Sequence, residues 1–294
     1  MPSNTNMLNV GLKDKNYPRL LKEITDPPEI LYILGSLPDE NLPKIAIVGT
    51  RKATANSCLI ARKISKELSE AGMIVVSGLA MGIDTAAHEG AVSAKTKTIA
   101  VLGNGLNTIY PAQNQNLAKK IIEFGGAIIS EYSPDEPAYP VNFLRRNRII
   151  SGLSIATVVV EAPLRSGSLV TARLALEQGR EVFVVPGPAN SFNYAGSHLL
   201  IRDGARLVAS AKEILEDLNL QPLELPKKTA APIKLELTAE EKAVFDIIRN
   251  NGKPLNIDKI TNLSKLEAQT VSQTITFLIM KSLIKETARG YIIK

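Results

Sequence analysis

The sequence predicts an α/β fold, a parallel sheet covered by helices, with a small helical domain after it. The first observation is a series of short apolar runs rich in β-branched residues, each followed by Gly, Ser or Pro: 45–48, 73–76, 98–102, 127–130, 156–160 and 182–185. The second is that amphipathic stretches separate the runs, among them 57–70, 84–93, 114–124 and 168–178. Strands that alternate with helices of this length form parallel sheets through right-handed crossovers.

Composition supports this fold and suggests how the chain is divided. Hydrophobic residues make up 45% of the chain, whereas aromatic residues make up only 4% and tryptophan is absent. A core of Ile, Leu, Val and Ala suits strands that are buried on both faces. At about 150 residues per domain, 294 residues suggest two domains. We therefore predict an extended Rossmann-like domain over 43–218, after an N-terminal extension, 1–42, of short helices and turns.

The C-terminal part has a different character. Three prolines interrupt residues 219–237, which we interpret as a linker. Thr238 and Glu241 form a capping-box pattern at the start of a helix over 238–250. Two more helices are predicted over 257–261 and 266–280, and residues 283–294 are predicted to be a hairpin that turns at Arg289-Gly290. Three helices and a hairpin predict a winged helix-turn-helix over 238–294.

Charge and cysteine content narrow the functional classes. Lys and Arg total 35 against 29 Asp and Glu, a net charge of +6; a clustered excess would attract polyanions such as nucleic acids. Cys58 is the only cysteine, so no intrachain disulfide can form, and we expect a cytoplasmic location. The polar N-terminus does not resemble a signal peptide, and no apolar run approaches the roughly 18 residues of a membrane helix.

Two glycine-containing turns follow strands and open helices. The first contains Gly49, Thr50, Arg51 and Lys52, and the second contains Ser166, Gly167 and Ser168. Backbone N–H groups at such turns form anion sites together with the helix N-terminus, and a guanidinium adds a planar fork for phosphate oxygens. The alternatives, a tight turn with a solvated arginine and a simple helix cap, remain open.

A third segment, NFLRRNRIISG, combines an aromatic ring with cations. It contains Phe143, Arg145, Arg146, Asn147 and Arg148. Arginine contacts phosphates. Each base that stacks on an aromatic side chain contributes about 1–3 kcal/mol to binding, and any of the bases can stack in this way. On a helix the three arginines cannot all face one way, so one or two are expected to be structural. An ion-pair network with buried acids is the alternative reading.

Other segments carry weaker signals. In SGLAMGIDTAAH, the Ser77-Gly78 turn permits close backbone approach, and Asp84 with His88 is either an acid/base pair or, as we favour, a helix cap and a structural histidine. GNGLNT, at 103–108, departs from a dinucleotide fingerprint because threonine replaces its last glycine. We expect His198 to be structural. Neither a Walker motif nor a set of transition-metal ligands is evident, so we expect no cofactor and no metal.

Taken together and in order, the motifs resemble those of the DprA/Smf family of DNA-processing proteins. The matching segments extend from about Pro27 to Val208: DPPEILYILG, IAIVGTRKAT, VVSGLAMGIDTAAHEGA, TIAVLGNGLNTIYP, ISEY, FLRRNRIISGLS, VVVEAPLRSGSLVTARLALEQGREVFVVPG and LLIRDGARLV. The resemblance implies an extended Rossmann fold, followed in many members by a winged helix.

The resemblance also implies a function. It predicts a cytoplasmic homodimer that binds single-stranded DNA without sequence preference, protects strands that enter competent cells during natural transformation, and loads RecA onto DNA coated by single-strand-binding protein, without catalysis. The DNA contacts of the family map onto Gly49-Thr50-Arg51, Ser77-Gly78, Phe143 with the 145–148 run, and 166–168. One departure is Phe143-Leu144, where relatives often have Phe-Pro.

Two other classes of function remain as alternatives. A Rossmann-fold hydrolase of nucleoside monophosphates, similar to the phosphoribohydrolases, would need a catalytic glutamate beside a glycine-rich turn, and Glu161 is the candidate. A scaffold that binds only proteins is the other. For the winged helix we favour a protein contact or weak DNA binding, because its candidate recognition helix, 265–280, carries few positive charges.

Overall fold

The computed structural model describes residues 7–222, 237–252, 254–281, 283–287 and 290–293. Its contacts divide the chain into two compact units, Met1–Leu225 and Pro226–Lys294. Most of the predicted linker, 219–237, lies outside the described residues. The bounds of the four predicted regions therefore stay predictions.

A nine-stranded sheet forms the centre of the first unit as it is described. Its strands are β1 Leu8–Gly11, β2 Ile30–Gly35, β3 Lys44–Val48, β4 Ile74–Ser77, β5 Thr98–Val101, β6 Ala127–Ser130, β7 Ala156–Val159, β8 Glu181–Val184 and β9 Arg206–Leu207. They lie in the order β1-β2-β6-β5-β4-β3-β7-β8-β9, and all neighbours from β6 to β9 are parallel. The predicted α/β class with a parallel Rossmann-like sheet is therefore confirmed, and each of the six apolar runs contributes a strand.

The N-terminal residues differ from their prediction. Besides one short helix, α1 Arg19–Lys22, they form β1 and β2, which extend the sheet at its edge. Both pairings are antiparallel, β1 with β2 and β2 with β6. Strand β2 is held there by burial, because Leu31, Ile33 and Leu34 are at most 5% exposed.

Helices cover both faces of the sheet: α2 Ala55–Glu70, α3 Ile83–Ser93, α4 Gln115–Glu123, α5 Pro140–Gly152, α6 Gly167–Glu177, α7 Ala195–Arg202 and α8 Ala211–Asp217. Leu21 of α1, Ile149 of α5 and Ala172 of α6 share one core cluster with the strands. A second cluster holds residues of α2, α3 and α8, for example Ile64 and Ile214. The two clusters contain the inward-facing stripes of these helices.

The order of strands determines where a ligand site can form. From the central β3 the chain builds β4, β5 and β6 on one side, and then crosses to place β7, β8 and β9 on the other. The loops that follow β3 and β7 therefore leave the sheet in opposite directions and open a crevice between them. Such a topological switch point, at the carboxyl ends of the strands, is where open α/β sheets bind ligands.

The second unit contains three helices and a hairpin in the predicted order. They are α9 Ala239–Asn251, α10 Ile257–Ser264, α11 Ala268–Met280, and the antiparallel pair β10 Ile284–Thr287 and β11 Gly290–Ile293. The capping box of α9 is present, with Glu241 N–H donating to Thr238 Oγ1 at 3.2 Å and Thr238 N–H donating to the Glu241 carboxylate at 2.9 Å. Arg289 of the predicted turn lies outside the described residues, and the designation as a winged helix stays a prediction.

Among the described residues, no helix is both long enough and apolar enough to cross a bilayer.

The core of the first unit provides a stability test. Phe183, in β8, is fully buried, whereas Phe192, in the loop after β8, is 73% exposed. We expect Phe183→Ala to lower the free energy of unfolding by about 3–5 kcal/mol, because it leaves a cavity. Phe192→Ala is the matched control and should change it by less than about 0.5 kcal/mol. Urea denaturation followed by circular dichroism measures both, and equal losses would contradict this assignment of the core.

Candidate nucleic-acid interface

A cleft of about 560 Å³ opens at the switch point. Segments from several elements line it: the turn after β3, the loop from β4 into α3, the loop after β5, one face of α5, and the loop from β7 into α6. Ten of the fourteen predicted site residues are among the lining residues, namely Gly49, Thr50, Arg51, Lys52, Phe143, Arg146, Asn147, Ser166, Gly167 and Ser168. Segments that are far apart in sequence thus meet where the topology predicts a site.

One wall of the cleft is cationic. Arg51 and Lys52 follow β3, Arg165 follows β7, and all three side chains are exposed. In the part of the chain that the structure describes, no carboxylate lies within 4.0 Å of any of these three charges. A polyanion would therefore meet three cations that are not already neutralised by ion pairs.

The N-terminus of α6 forms part of the same wall. Ser166 caps the helix, since its hydroxyl oxygen accepts a hydrogen bond from Ser168 N–H at 3.3 Å, and the two hydroxyls lie 2.7 Å apart. The Asn147 side-chain amide donates to Gly167 O at 3.2 Å and links α5 to this turn. Because the helix dipole is positive at this end, the turn adds to the attraction for an anion.

A second part of the lining, the aromatic wall, adjoins the cationic wall. The rings of Phe143 and Tyr110 have centroids 5.3 Å apart, and the Arg51 guanidinium lies over Phe143 at 5.2 Å from its centroid. A Cβ on Gly103 would lie 2.8 Å from Phe143 Cδ1, so the glycine leaves space for the ring. Gly103 opens GNGLNT, and the structure thus gives that glycine a packing role beside the cleft.

Arg146 forms the floor of the cleft. Its guanidinium is 3% exposed and donates to two strand-end carbonyls, Gly78 O at 2.8 Å and Val101 O. Asp84 lies beside it and accepts from Gly78 N–H at 3.2 Å. Burial lowers the pKa of Arg146 to about 10, although Asp84 opposes this shift. Burial also raises the pKa of Asp84, although Arg146 opposes it.

Arg148 lies on the other face of α5 and does not line the cleft, and its predicted DNA contact stays a prediction. Its guanidinium makes two hydrogen bonds to the Glu131 carboxylate, at 2.6 and 2.7 Å, and a third to the Asp26 carboxylate at 3.0 Å. Both Arg148 and Glu131 have side chains less than 10% exposed. Arg145 is more exposed and lies 3.8–3.9 Å from the same two acids, so it also faces away from the cleft. The ion-pair alternative holds for these two residues.

The Ser77-Gly78 turn lies beneath the cleft and does not line it. Ser77 is fully buried, and its hydroxyl donates to Ile47 O at 2.7 Å. A Cβ on Gly78 would lie 2.5 Å from Arg146 Nη2, which explains why glycine is needed there. In this position the pair accommodates Arg146, and its predicted DNA contact stays a prediction.

His88 is structural in this arrangement. It is fully buried, and its Nδ1 lies 2.9 Å from Thr98 Oγ1. The Thr98 hydroxyl donates to Val75 O at 2.6 Å, so the ring nitrogen must be the donor to threonine. Burial lowers the pKa of His88 to about 3, which keeps the ring neutral at physiological pH. His198 is likewise held by a backbone carbonyl, with Nε2 3.2 Å from Gly187 O.

Among the lining residues that were not predicted are one exposed aromatic residue and one exposed cation. Tyr110 is 46% exposed on the aromatic wall, and Arg165 lies on the cationic wall. Tyr110 lies in the segment IYP, and Arg165 lies in the segment PLRSG. The one signal in the sequence that could have identified them as site residues is a cation or an aromatic residue in a loop after an apolar run. Many exposed residues share this signal.

The chain is similar to proteins of a known family. The model of the family DNA recombination-mediator protein A matches residues 9–219. Protein Smf of Escherichia coli is 49% identical over 203 residues, which cover 69% of this chain and 54% of that protein. The matched segment thus spans about half the length of that relative, and the same holds for Protein Smf of Synechocystis.

Solved structures show the same fold. The X-ray structure of DNA processing protein A from Streptococcus pneumoniae is 38% identical, has a TM-score of 0.66, and is matched over 72% of this chain and 74% of that chain. DNA processing protein A from Helicobacter pylori, whose structure was described for its single-stranded DNA binding mode, is 31% identical with a TM-score of 0.65. That match covers 74% of this chain and 98% of the other.

The ion pair behind the cleft provides a second stability test. We expect Arg148→Met to lower the free energy of unfolding by about 3–5 kcal/mol, because Glu131 is left buried without its partner. Arg145→Met is the matched control, since its exposed and longer ion pairs contribute about 0–1 kcal/mol. Chemical denaturation measures both variants, and equal effects would show that Arg148 does not hold α5 in place.

Proposed function

We propose, from the premise that this chain belongs to the DNA recombination-mediator protein A family, that its cleft binds single-stranded DNA independently of sequence. One observation carries the proposal: exposed cations, a helix N-terminus and a pair of aromatic rings line a single cleft. Phosphates and bases alternate along a single strand, and a protein that binds it needs both kinds of surface at once.

The phosphate contacts are assigned to the cationic wall. Arg51, Lys52 and Arg165 provide the charge, and Ser166 and Ser168 provide hydroxyl and N–H donors at the start of α6. Neutralising phosphates releases counterions, so binding weakens as salt concentration rises. None of these groups reads a base edge, and binding by this wall is therefore indifferent to sequence.

The base contact is assigned to Phe143, with Tyr110 beside it. In the unbound chain the Arg51 guanidinium covers the Phe143 ring at 5.2 Å. A phosphate that attracts Arg51 would uncover the ring for a base, and the two contacts would then form together. Arg146 supports both, because it fixes the face of α5 that carries Phe143 and Asn147.

The biological role follows from the family. We propose that the chain acts in DNA processing, protecting incoming strands during natural transformation and promoting RecA loading, with single-strand-binding protein as a further contact and a homodimer as the active form. The curated relatives are named for DNA processing, and one structural relative is described for binding single-stranded DNA.

We propose that the C-terminal unit, which is predicted to be a winged helix, contacts a protein partner. Helix α11 contains no Lys or Arg between Ala268 and Met280, whereas helices that read duplex DNA carry cations along their length. This composition favours a protein partner over a DNA groove.

We propose that binding occurs without catalysis. Glu161, the candidate for a hydrolase, is fully buried, and its carboxylate accepts from both N–H and hydroxyl of Thr54 at 3.0 Å. It caps the turn after β3 and is not among the residues that line the cleft. Asp84 is also engaged by backbone N–H groups, at 3.2 and 3.4 Å.

The cationic wall can be tested with one substitution. Arg51→Ala should weaken binding of a fluorescent oligo(dT) by about 10-fold or more at physiological salt, because a charge-assisted phosphate contact is lost. The slope of affinity against salt should also fall by about one ion. The control is Arg202→Ala, an exposed arginine at the end of α7. Unchanged affinity and slope for Arg51→Ala would refute the assignment.

The absence of catalysis is tested separately. The protein is incubated with nucleoside monophosphates, and free base is measured by chromatography. We expect no release above the buffer control, because Glu161 is buried outside the cleft lining and Asp84 is held by backbone N–H groups. Base release that disappears in Glu161→Gln would establish the hydrolase instead.

A further inference from the structure

The loop after β8 carries an exposed aromatic residue at the same edge of the sheet as the cleft. Phe192 is 73% exposed and begins a short 3-10 helix that ends at Tyr194. Strand β8 neighbours β7, which neighbours β3. Neighbouring strands are about 4.8 Å apart, so β8 lies about 10 Å from β3. At about 3.4 Å per nucleotide along a strand, this distance corresponds to about three nucleotides.

This loop is held in place by contacts that also hold the cleft. The Tyr194 hydroxyl lies 2.7 Å from Ser57 Oγ, and Ser57 Oγ lies 2.8 Å from Thr54 Oγ1, the cap of α2. Thr54 follows the Arg51-Lys52 turn directly in the chain. His198 fixes the beginning of the same loop through Gly187 O. Phe192 is thus exposed on an ordered loop tied to the cationic wall.

The charges of the rim suit a polyanion. No Asp or Glu occurs in 49–66, 162–176 or 186–202, the segments that follow β3, β7 and β8. Arg165 and the exposed Leu164 lie in the middle segment, in the loop that follows β7. Strand β7 lies between β3, which precedes Arg51, and β8, which precedes Phe192. Cations placed between aromatic side chains are the pattern by which proteins bind single strands without sequence preference.

We propose that Phe192 is a second base-stacking platform, which binds a base of the same strand beyond the cleft. This inference rests on the proposed function and extends its binding site across the loop after β8. A second copy of the chain fits this loop less well. An interface between proteins needs about 800 Å² on each partner, and the residues around Phe192, at 188–191, are Pro, Ala, Asn and Ser.

The test compares oligonucleotide lengths. A strand of about two nucleotides is shorter than the span of about three nucleotides from β3 to β8, whereas one of about 15 reaches both the cleft and the loop. Phe192→Ala should weaken binding of the longer oligo(dT) by about 5- to 150-fold and leave the shorter one within about 2-fold, as expected for one lost stack. Phe192→Trp should restore the affinity for the longer strand. Leu176→Ala removes another exposed apolar side chain, at the far end of α6, and should change neither affinity.

A direct readout comes from the same variant. The chain has no tryptophan, so the single Trp of Phe192→Trp reports on this loop alone. Its fluorescence should be quenched by the longer strand and not by the shorter one. Equal losses for both lengths in Phe192→Ala, or no loss for either, would overturn the second platform. A change in molecular mass by light scattering in Phe192→Ala would assign the residue to a subunit contact instead.

The outcome for the proposed function remains separate. If the parent chain binds neither length, the proposed function fails, and this inference fails with it. If the parent binds both lengths and Phe192→Ala binds them equally well, the cleft stands and only the second platform is lost.

Discussion

The buried guanidinium of Arg146 is the interaction on which the site depends. It joins the carbonyl ends of β4 and β5 to α5, at Gly78 and Val101, and so fixes the helix that brings Phe143 and Asn147 to the cleft. A charge at this depth is costly unless hydrogen bonds and an opposite charge compensate for it. The two carbonyls and nearby Asp84 provide that compensation, and glycine at position 78 provides the space.

Helix α5 separates structural charge from functional charge. One face carries Arg148, whose ion pairs with Glu131 and Asp26 tie the N-terminal segment and the end of β6 to the helix. The other face looks into the cleft, where the exposed cations are supplied by neighbouring loops. This division leaves the cations of the cationic wall outside ion pairs with the described carboxylates, so their charges remain available to a ligand.

The sequence predicted the parallel sheet and most of the cleft because both rest on local patterns. Strands buried on both faces have continuous apolar runs, and Gly49 and Gly167 mark turns that open helices. The N-terminal strands were missed because their place depends on pairing with β6, almost 100 residues later. Spacing showed that the arginines of α5 must diverge, but Asp26 and Glu131 decide which of them is structural, and those contacts exist only in the folded chain.

The central claim is that one strand of DNA is held at the switch point between β3 and β7. The most direct measurement is a crystal structure of the chain with a short oligo(dT). The account predicts a phosphate at the start of α6, within hydrogen-bond distance of Ser166 or Ser168 and close to Arg51, with a base against Phe143. A strand bound on any other surface, with this cleft holding only solvent, would contradict it.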